Sequence, residues 1–226
     1  MSDPSHKLSI IQKPINVIYK PGNLISNHEY LNWDGDYSNW DLVRFGVPLD
    51  GNCFFHAVCQ AFFKPYITEM INGKPISRLD LVKKLREELS EKLSQPVKGN
   101  SGPTFYDLLN GGNTREFSKS VPKYTLTAMQ KLLNSNSPIG YGYIEYISNQ
   151  LNKDIYILDA STQDIYVYVN DEYNLTFKNR NSIVLLYISG HYELIGLKNK
   201  NYFDTHFSPN HPLIIFLKSR IKPRNT

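Results

Sequence analysis

The sequence of 226 residues has only two cysteines, Cys53 and Cys59, and this scarcity limits what sulfur can do in the protein. Both fall in a segment that we predict to be helical, where they would point to different sides, so we expect no disulfide between them. Two thiols among scattered histidines also give no recognisable spacing for a zinc site. For Cys53 two roles stay open, a small buried residue and a nucleophile.

Long apolar runs are also absent from the sequence. A run such as Leu213 to Leu217 is far shorter than the roughly 20 residues that a membrane-spanning helix needs. The first residues, "MSDPSHKLSIIQKP", lack the basic start and the apolar stretch of a secretory signal peptide. We therefore expect an intracellular protein that has neither a transmembrane segment nor a signal peptide.

Charge of one sign is concentrated at only one place in the chain. The 25 Lys and Arg residues are interleaved with 21 Asp and Glu residues, and the net charge is +4. A nucleic-acid-binding protein usually has a concentrated basic face or a known module. The C-terminal "KSRIKPRNT" is the one basic cluster, and because it is short we interpret it as a solvated tail. We expect no nucleic-acid partner and no membrane partner.

The N-terminal segment has weak signals of structure. Residues 1–40 contain three prolines and the polar stretch "NWDGDYSNWD". This composition is typical of loops and turns, so we interpret the segment as an arm of unknown role that docks through Trp33 and Trp40.

Two helices are predicted by their start signals. Asn52 can cap a helix that begins at Cys53, and its buried stripe would be Phe54, Val58, Ala61 and Phe62. Ser77 followed by Asp80 is a capping-box arrangement, and it predicts a second helix through "LVKKLREELSEKL". Shorter helical patterns follow at Phe105–Leu109 and Leu126–Leu133.

The second half of the sequence changes its period. "YIEYISNQL" indicates a helix, whereas "DIYILDA" and "DIYVYV" are rich in β-branched and aromatic residues and indicate strands. "SIVLLYI", the turn "SGH" and "YELIGL" indicate a β-hairpin. Helices first and strands later, without a steady βαβ alternation, predict an α+β fold.

The turn before Cys53 has what an activated thiol needs. A thiol attacks as its thiolate, and the first turn of a helix favours negative charge through its dipole and its unpaired N–H groups. Gly51 lets the neighbouring N–H groups turn toward one point, where they can also hold an oxyanion. The segment "DGNC" can therefore supply both the sulfur and an oxyanion pocket.

The chain has six histidines, and His191 is the best candidate for the base that such a thiol requires. It lies at the tip of the predicted hairpin, and in an extended strand it shares one face with Glu193, which could orient the imidazole. His56 is close to the N-terminus of a helix, where an imidazolium is poorly held, so we do not choose it as the base. The alternative for His191 is an ordinary hairpin residue.

Three motifs in this chain resemble those of one enzyme family. "DGNCFFHAV" resembles the cysteine box of the OTU (ovarian tumour) family of papain-like cysteine peptidases. "IGYGYIEYISNQLNKDIYILDA" looks like the central helix–strand unit of that family, and "SIVLLYISGHYELIGL" is similar to its histidine box. The motifs occur in the order of the family, from about Phe45 to Gly196.

This resemblance implies a papain-like OTU fold, in which helices flank a central, mostly antiparallel β-sheet. The catalytic domain would span residues 41–200, followed by an extension with a basic tail at residues 201–226. Cys53 would be the nucleophile and His191 the general base. Asp50 would shape the loop before the cysteine, and the backbone of Asp50, Gly51, Asn52 and Cys53 would form the oxyanion hole.

One position departs from the family pattern. Members often have Asp or Asn two residues after the histidine, and this chain has Glu193. Its longer carboxylate can still orient His191, or Asp50 can take that role instead.

The resemblance further implies a deubiquitinase that hydrolyses the isopeptide bond between the C-terminal glycine of ubiquitin and a lysine. Its partners would be ubiquitin or polyubiquitin chains, and it would act as a monomer without a metal or an organic cofactor. The alternatives are a peptidase for a ubiquitin-like modifier and a catalytically weak ubiquitin-binding protein with the same fold. Tyr192 and Tyr187 are candidates for the wall of the substrate channel, or else core residues. The abundance of Asn, Ile, Lys and Tyr would suit a viral or bacterial effector that acts in the cytoplasm of its host.

Overall fold

The computed structural model describes residues 8–9, 28–33, 40–97, 101–111, 125–160, 165–168, 179–200 and 202–221. Its strands are β1 (Leu8–Ser9), β2 (His28–Tyr30), β3 (Asn32–Trp33), β4 (Leu42–Phe45), β5 (Met70–Ile71), β6 (Lys74–Pro75), β7 (Asp154–Asp159), β8 (Ile165–Tyr168), β9 (Ser182–Ile188), β10 (His191–Lys198) and β11 (Phe203–Asp204). Its helices are α1 (Cys53–Phe62), α2 (Lys64–Thr68), α3 (Arg78–Leu93), α4 (Phe105–Gly111), α5 (Leu126–Leu133), α6 (Tyr141–Leu151) and α7 (Pro212–Arg220).

A seven-stranded sheet is the centre of the fold. Its strands lie in the order β2-β4-β10-β9-β7-β8, and β11 pairs with β10. The β7–β9 pair is parallel, whereas the other described pairs of this sheet are antiparallel. The expectation of a mostly antiparallel sheet flanked by helices is therefore confirmed.

The central strands are buried on both faces, so they are apolar at almost every position. In β9, Ile183 and Leu185 belong to a first hydrophobic core with helix α1, whereas Val184 and Leu186 belong to a second core with helix α7. Neighbouring residues alternate between the cores because successive side chains of a strand point to opposite faces. The strand "SIVLLYI" is apolar for this reason.

Helix α1 lies in the first core and is buried on all sides. Every residue from Cys53 to Ala61 is buried, so the single stripe predicted from the sequence underestimates its contacts. The ring of Phe54 meets that of Tyr192 in β10 edge to face, with 5.4 Å between centroids. This contact ties the beginning of α1 to the beginning of β10.

The start of helix α3 confirms the predicted capping box in part. The backbone N–H of Asp80 donates to Oγ of Ser77 at 3.0 Å, which satisfies one of the free N–H groups of the first turn. The Ser77 hydroxyl donates in turn to the Asp80 carboxylate at 2.7 Å. The predicted helices at "YIEYISNQL" and at Leu126–Leu133 also match α6 and α5.

Two elements form where the sequence signals were weak. Residues 28–30, which lie in the predicted N-terminal arm, form strand β2 of the main sheet. Helix α7 lies in the predicted C-terminal extension and buries Leu213, Ile214 and Leu217 in the second core. Trp40 docks as expected, with its ring 5.8 Å from that of Phe216, whereas the side chain of Trp33 lies outside the described residues. Among the helices described, none is long and apolar enough to cross a membrane.

Candidate active site

The hairpin of β9 and β10 places His191 at a sheet end. Ser189 and Gly190 form its two-residue turn, and both have positive φ angles, 48° and 89°, as the tight hairpin turn of this length requires. His191 is the first residue of β10 and pairs with Ile188. The predicted hairpin is confirmed, and its short turn fixes the position of the histidine in the sheet.

Cys53 is the first residue of α1, and its sulfur faces the strand residue that follows His191. Burial raises the pKa of the Cys53 thiol, and the backbone N–H groups of Tyr192 and Phe54 oppose this by hydrogen bonding to the sulfur. The negative charge of Asp50 raises the pKa of this thiol further. The fold thus brings together the thiol and the start of the histidine strand, which are far apart in the sequence.

The Asp50 carboxylate lies among the groups of this site. Its Oδ1 accepts the backbone N–H of Asn52 at 2.8 Å, and its Oδ2 is 3.4 Å from Nε2 of His56. Burial lowers the pKa of His191, and the charge of Asp50 opposes that shift. The shifts at Cys53 and His191 both favour the uncharged forms, a thiol beside a neutral imidazole.

The fold leaves no room for a side chain at Gly51. A Cβ at this position would lie 1.6 Å from the carbonyl oxygen of Asn136, which is part of the segment after helix α5. This backbone contact is a reason for glycine that the sequence did not reveal, since its predicted role was conformational freedom.

Asn52 occupies the N-cap position of α1, but the prediction that its side chain caps the helix is wrong. Its Oδ1 accepts a 3.0 Å hydrogen bond from Nη1 of Arg86 instead, and no cap hydrogen bond is made. The competing donor is a buried guanidinium, which binds an amide oxygen more strongly than a backbone N–H does. The first-turn N–H groups next to Cys53 are therefore not occupied by the Asn52 side chain.

Arg86 is a site residue that the sequence analysis missed. Besides Asn52, its guanidinium donates to the carbonyl oxygens of Leu133 at 2.9 Å, Leu132 at 2.8 Å and Ser137 at 3.0 Å. Its Cζ is 4.6 Å from the centre of the Phe55 ring. In the sequence, this arginine stands in the charged stretch "LVKKLREELSEKL", where the local pattern does not distinguish it from the exposed charges around it.

Glu193 lies in a buried charge cluster. Its Oε2 is 3.5 Å from Nη1 of Arg44, which also donates to Glu29 of β2 at 2.8 Å. Burial raises the pKa of Glu193, the charge of Arg44 lowers it, and Glu29 raises it. The alternation of β10 puts Glu193 on the same face as His191, but the carboxylate whose charge raises the pKa of His191 is that of Asp50.

The two tyrosines named as channel candidates pack against each other. Tyr192 is 8% exposed, and its ring centre lies 5.0 Å from that of Tyr187, which is half-buried. This packing agrees with the alternative in which Tyr192 is a core residue, while its backbone N–H serves the thiol.

The second cysteine differs from the first in its surroundings. Cys59 is a free thiol buried in the first core, and burial raises its pKa to about 12, which keeps it protonated. In the part of the chain that the structure describes, no group of three or more His, Cys, Asp or Glu residues is placed to hold a metal ion. Of the two thiols, Cys53 is therefore the one with a carboxylate, that of Asp50, close to it.

Comparison with known proteins connects this geometry with a fold. No protein-family model matches the chain, and no curated protein matches it. A solved OTU domain in complex with ubiquitin is 21% identical, with a TM-score of 0.52, and the match covers 86% of this chain and 88% of that one. The OTU domain of OTUD1 is 16% identical with a TM-score of 0.43, covering 68% and 85%. The viral OTU domain protease from Taggert virus is 16% identical with a TM-score of 0.45, covering 80% and 94%.

The first of these similarities shows that the chain has the fold of OTU domains. The expectation drawn from the three motifs is thereby confirmed for the fold, which is α+β.

Proposed function

We propose that the protein is a cysteine deubiquitinase that cleaves the isopeptide bond between the C-terminal glycine of ubiquitin and a lysine side chain. The observation that carries this proposal is the position of the Cys53 thiol in an OTU fold. It lies at the N-terminus of α1 and accepts a hydrogen bond from the backbone N–H of Tyr192, the residue next to His191.

The proposed reaction begins with proton transfer. His191 takes the proton of the Cys53 thiol, and the sulfur attacks the carbonyl carbon of the terminal glycine. The resulting oxyanion is held by backbone N–H groups of the turn from Asp50 to Cys53, and each such donor is typically worth about 10²–10³ in rate. The C–N bond then breaks, and the leaving lysine amine takes the proton from His191.

A water molecule completes the cycle. His191 removes a proton from it, the oxygen attacks the thioester, and the Cys53 sulfur leaves and regains its proton. Two acids support the histidine in this proposal: the Asp50 charge stabilises the imidazolium that forms, and Glu193 orients the ring from the same face of β10. The half-buried Tyr187 is the candidate for the wall of the channel that admits the ubiquitin tail.

The decisive experiment uses ubiquitin that carries an electrophile at its C-terminus. We expect the wild-type protein to form a covalent adduct, detected by intact mass, and Cys53→Ala to form none. Cys59→Ala is the matched control, because that thiol is sealed in the core and its loss should leave labelling intact. A wild type that binds this probe only reversibly would instead be a ubiquitin-binding protein.

The choice of modifier is tested with the same chemistry. Electrophiles built on ubiquitin-like modifiers should react more slowly than the ubiquitin probe. If the protein reacted faster with one of these probes, that modifier would be the proposed substrate instead of ubiquitin, and the proposed catalytic residues would stay the same.

A further inference from the structure

A buried histidine that the proposed chemistry does not use lies behind the active-site turn. The side chain of His56 in α1 is 2% exposed. Its Nδ1 is 2.9 Å from the hydroxyl oxygen of Tyr66 in α2, and its Nε2 is 3.4 Å from Oδ2 of Asp50. Tyr66 is itself fully buried. The three side chains form a line from the interior to the active-site turn.

Hydrogen-bond chemistry fixes the direction of this line. An ionised carboxylate only accepts hydrogen bonds, so Nε2 of His56 must be the donor toward Asp50. In a neutral imidazole Nδ1 is then an acceptor, and the Tyr66 hydroxyl, which can donate, supplies its proton. Asp50 thus requires the Nε2-protonated tautomer of His56, and the Tyr66 hydroxyl stabilises this tautomer by donating to Nδ1.

The groups around His56 keep it neutral. Burial lowers the pKa of His56, and the charge of Arg78 in α3 lowers it further, while Asp50 acts in the opposite direction. Arg78 is held close by because its Nε donates to the backbone oxygen of Tyr66 at 3.1 Å and its Cζ lies 5.3 Å from the Tyr66 ring. A neutral, Nε2-protonated imidazole is therefore the form that fits these neighbours.

Asp50 needs such a partner because it is partly exposed. Its side chain is 37% exposed, and Oδ2, the oxygen toward His56, also accepts a long, 3.4 Å hydrogen bond from Nδ2 of Asn52. Without the hydrogen bond from His56, the Asp50 carboxylate could rotate toward water, and its charge would then act less strongly on Cys53 and His191.

We propose that His56 is a positioning residue, which Tyr66 holds in the Nε2-protonated form and which in turn holds the Asp50 carboxylate beside Cys53 and His191. This inference rests on the proposed function, because the position of Asp50 affects the rate only if Cys53 is the nucleophile and His191 the base.

The test combines a tautomer measurement with kinetics. Nitrogen NMR should show the His56 ring, assigned as the histidine signal that His56→Gln removes, in the Nε2-protonated neutral form. Tyr66→Phe should shift the Nδ1 resonance of this ring, because Nδ1 loses its donor, while Nε2 stays protonated toward Asp50. If the ring assigned to His56 is Nδ1-protonated or charged at neutral pH, the proposal is wrong whether or not the protein is an enzyme.

Kinetics then measure the effect on the site, as the rate of adduct formation with the ubiquitin electrophile across pH. We expect His56→Leu to slow labelling about tenfold, as for the loss of a hydrogen bond to a charged group. It should also move the pH profile in the direction that Asp50→Asn moves it. Adding His56→Leu to Asp50→Asn should cost nothing more, whereas His56→Gln, whose amide can donate to Asp50, should keep most of the rate.

The outcomes separate the two proposals. A wild type that does not react with the probe refutes the proposed function. The tautomer measurement still tests whether the hydrogen bonds run from Tyr66 to His56 and from His56 to Asp50. A reactive wild type whose rate and pH profile survive His56→Leu, or fully additive losses in the double variant, would refute the positioning role alone. If His56→Leu does not fold, as judged by circular dichroism, Tyr66→Phe must shift the profile in the same direction for the proposal to stand.

Discussion

Arg86 donates from Nη1 to Oδ1 of Asn52 over 3.0 Å, and this bond joins helix α3 to the residue before Cys53. Other donors of the same guanidinium bind the backbone oxygens of Leu132 and Leu133 at the end of α5 and of Ser137 beyond it. Burial lowers the pKa of Arg86 to about 10, so the group is still charged at neutral pH. One buried cation therefore fixes the active-site turn against two helices.

Replacing Arg86 should destabilise the protein strongly. Arg86→Met fills a similar volume but leaves buried carbonyl oxygens without donors, and we expect a loss of about 2–4 kcal/mol in the free energy of unfolding. Urea denaturation measures it. Lys83→Met on the same helix is the matched control, because Lys83 is exposed and its ion pair with Glu87 should contribute less than about 1 kcal/mol. Equal unfolding midpoints for the two variants would contradict the assigned role.

Gly51 should tolerate no side chain. Gly51→Ala would place a methyl group 1.6 Å from the Asn136 carbonyl oxygen, and one of the two backbone segments must then move. Because the proposed oxyanion donors lie in that turn, we expect turnover to fall by about 10² or more.

The control for Gly51→Ala is Gly73→Ala. It separates the effect of a steric clash from the effect of an unfavourable backbone conformation. Gly73 has φ +76° but open space around it, in a turn away from the site. Its replacement should cost about 1 kcal/mol in stability and leave turnover unchanged. If Gly51→Ala behaved in the same way, the contact with Asn136 would not shape the active site.

The sequence predicted the elements whose signals are local. Ser77 and Asp80 predicted the start of α3, and the apolar runs on either side of "SGH" predicted the hairpin, whose turn in the structure is Ser189 and Gly190 alone. Strand β4 was missed because its four residues include Arg44. That charge is buried only because Glu29 and Glu193 come from other strands to meet it. Such a partner is a property of the tertiary structure and leaves no trace in the local pattern.

The residues of the candidate site could likewise be named from local motifs, whereas their tertiary contacts could not. Cys53, His191 and Asp50 stand in motifs, so their numbers could be given before any coordinates. The contact of His56 with Asp50 could not be given, because it depends on where the short helix α2 places Tyr66. The side chain of Asn52 was misjudged for the same reason, since Arg86 reaches it from helix α3.

Replacing the base should cost far more than replacing the positioning histidine. We expect His191→Ala to reduce turnover by at least about 10³, because His191 is the group proposed to take the proton of the thiol, whereas His56→Ala should cost about tenfold. Initial rates on a ubiquitin–lysine isopeptide substrate measure both. Equal losses would overturn the choice of His191 as the base.

The charge of Asp50 should be visible in the pH dependence of the reaction. A negative charge raises the pKa of a nearby acid or base, and Asp50 does so for both Cys53 and His191. Asp50→Asn removes the charge, so we expect both limbs of the bell-shaped profile of kcat/KM to move to lower pH. Glu87→Gln, an exposed change on α3, is the control and should leave both limbs in place. Limbs that stay fixed or move upward in Asp50→Asn would contradict the assignment.

Glu193 should matter for rate more than for ubiquitin affinity or stability. Glu193→Gln keeps the shape of the side chain but removes the charge that could orient His191, so we expect turnover to fall about tenfold. The affinity for ubiquitin, measured in a Cys53→Ala background, should change little because the residue is buried.

Stability distinguishes this effect from a damaged fold. Folding raises the pKa of Glu193. Its contribution to the free energy of unfolding is therefore most favourable at pH values below the pKa that Glu193 has in the unfolded chain, and it is lost as the pH rises through its pKa in the folded protein. At neutral pH, which lies above the pKa of the unfolded chain, this carboxyl therefore lowers the stability of the fold, and Arg44 keeps Glu29 as a partner when Glu193 becomes glutamine. We expect Glu193→Gln to unfold at a urea concentration no lower than the wild type at neutral pH. Turnover equal to that of the wild type would remove Glu193 from the reaction and leave Asp50 as the acid that supports His191.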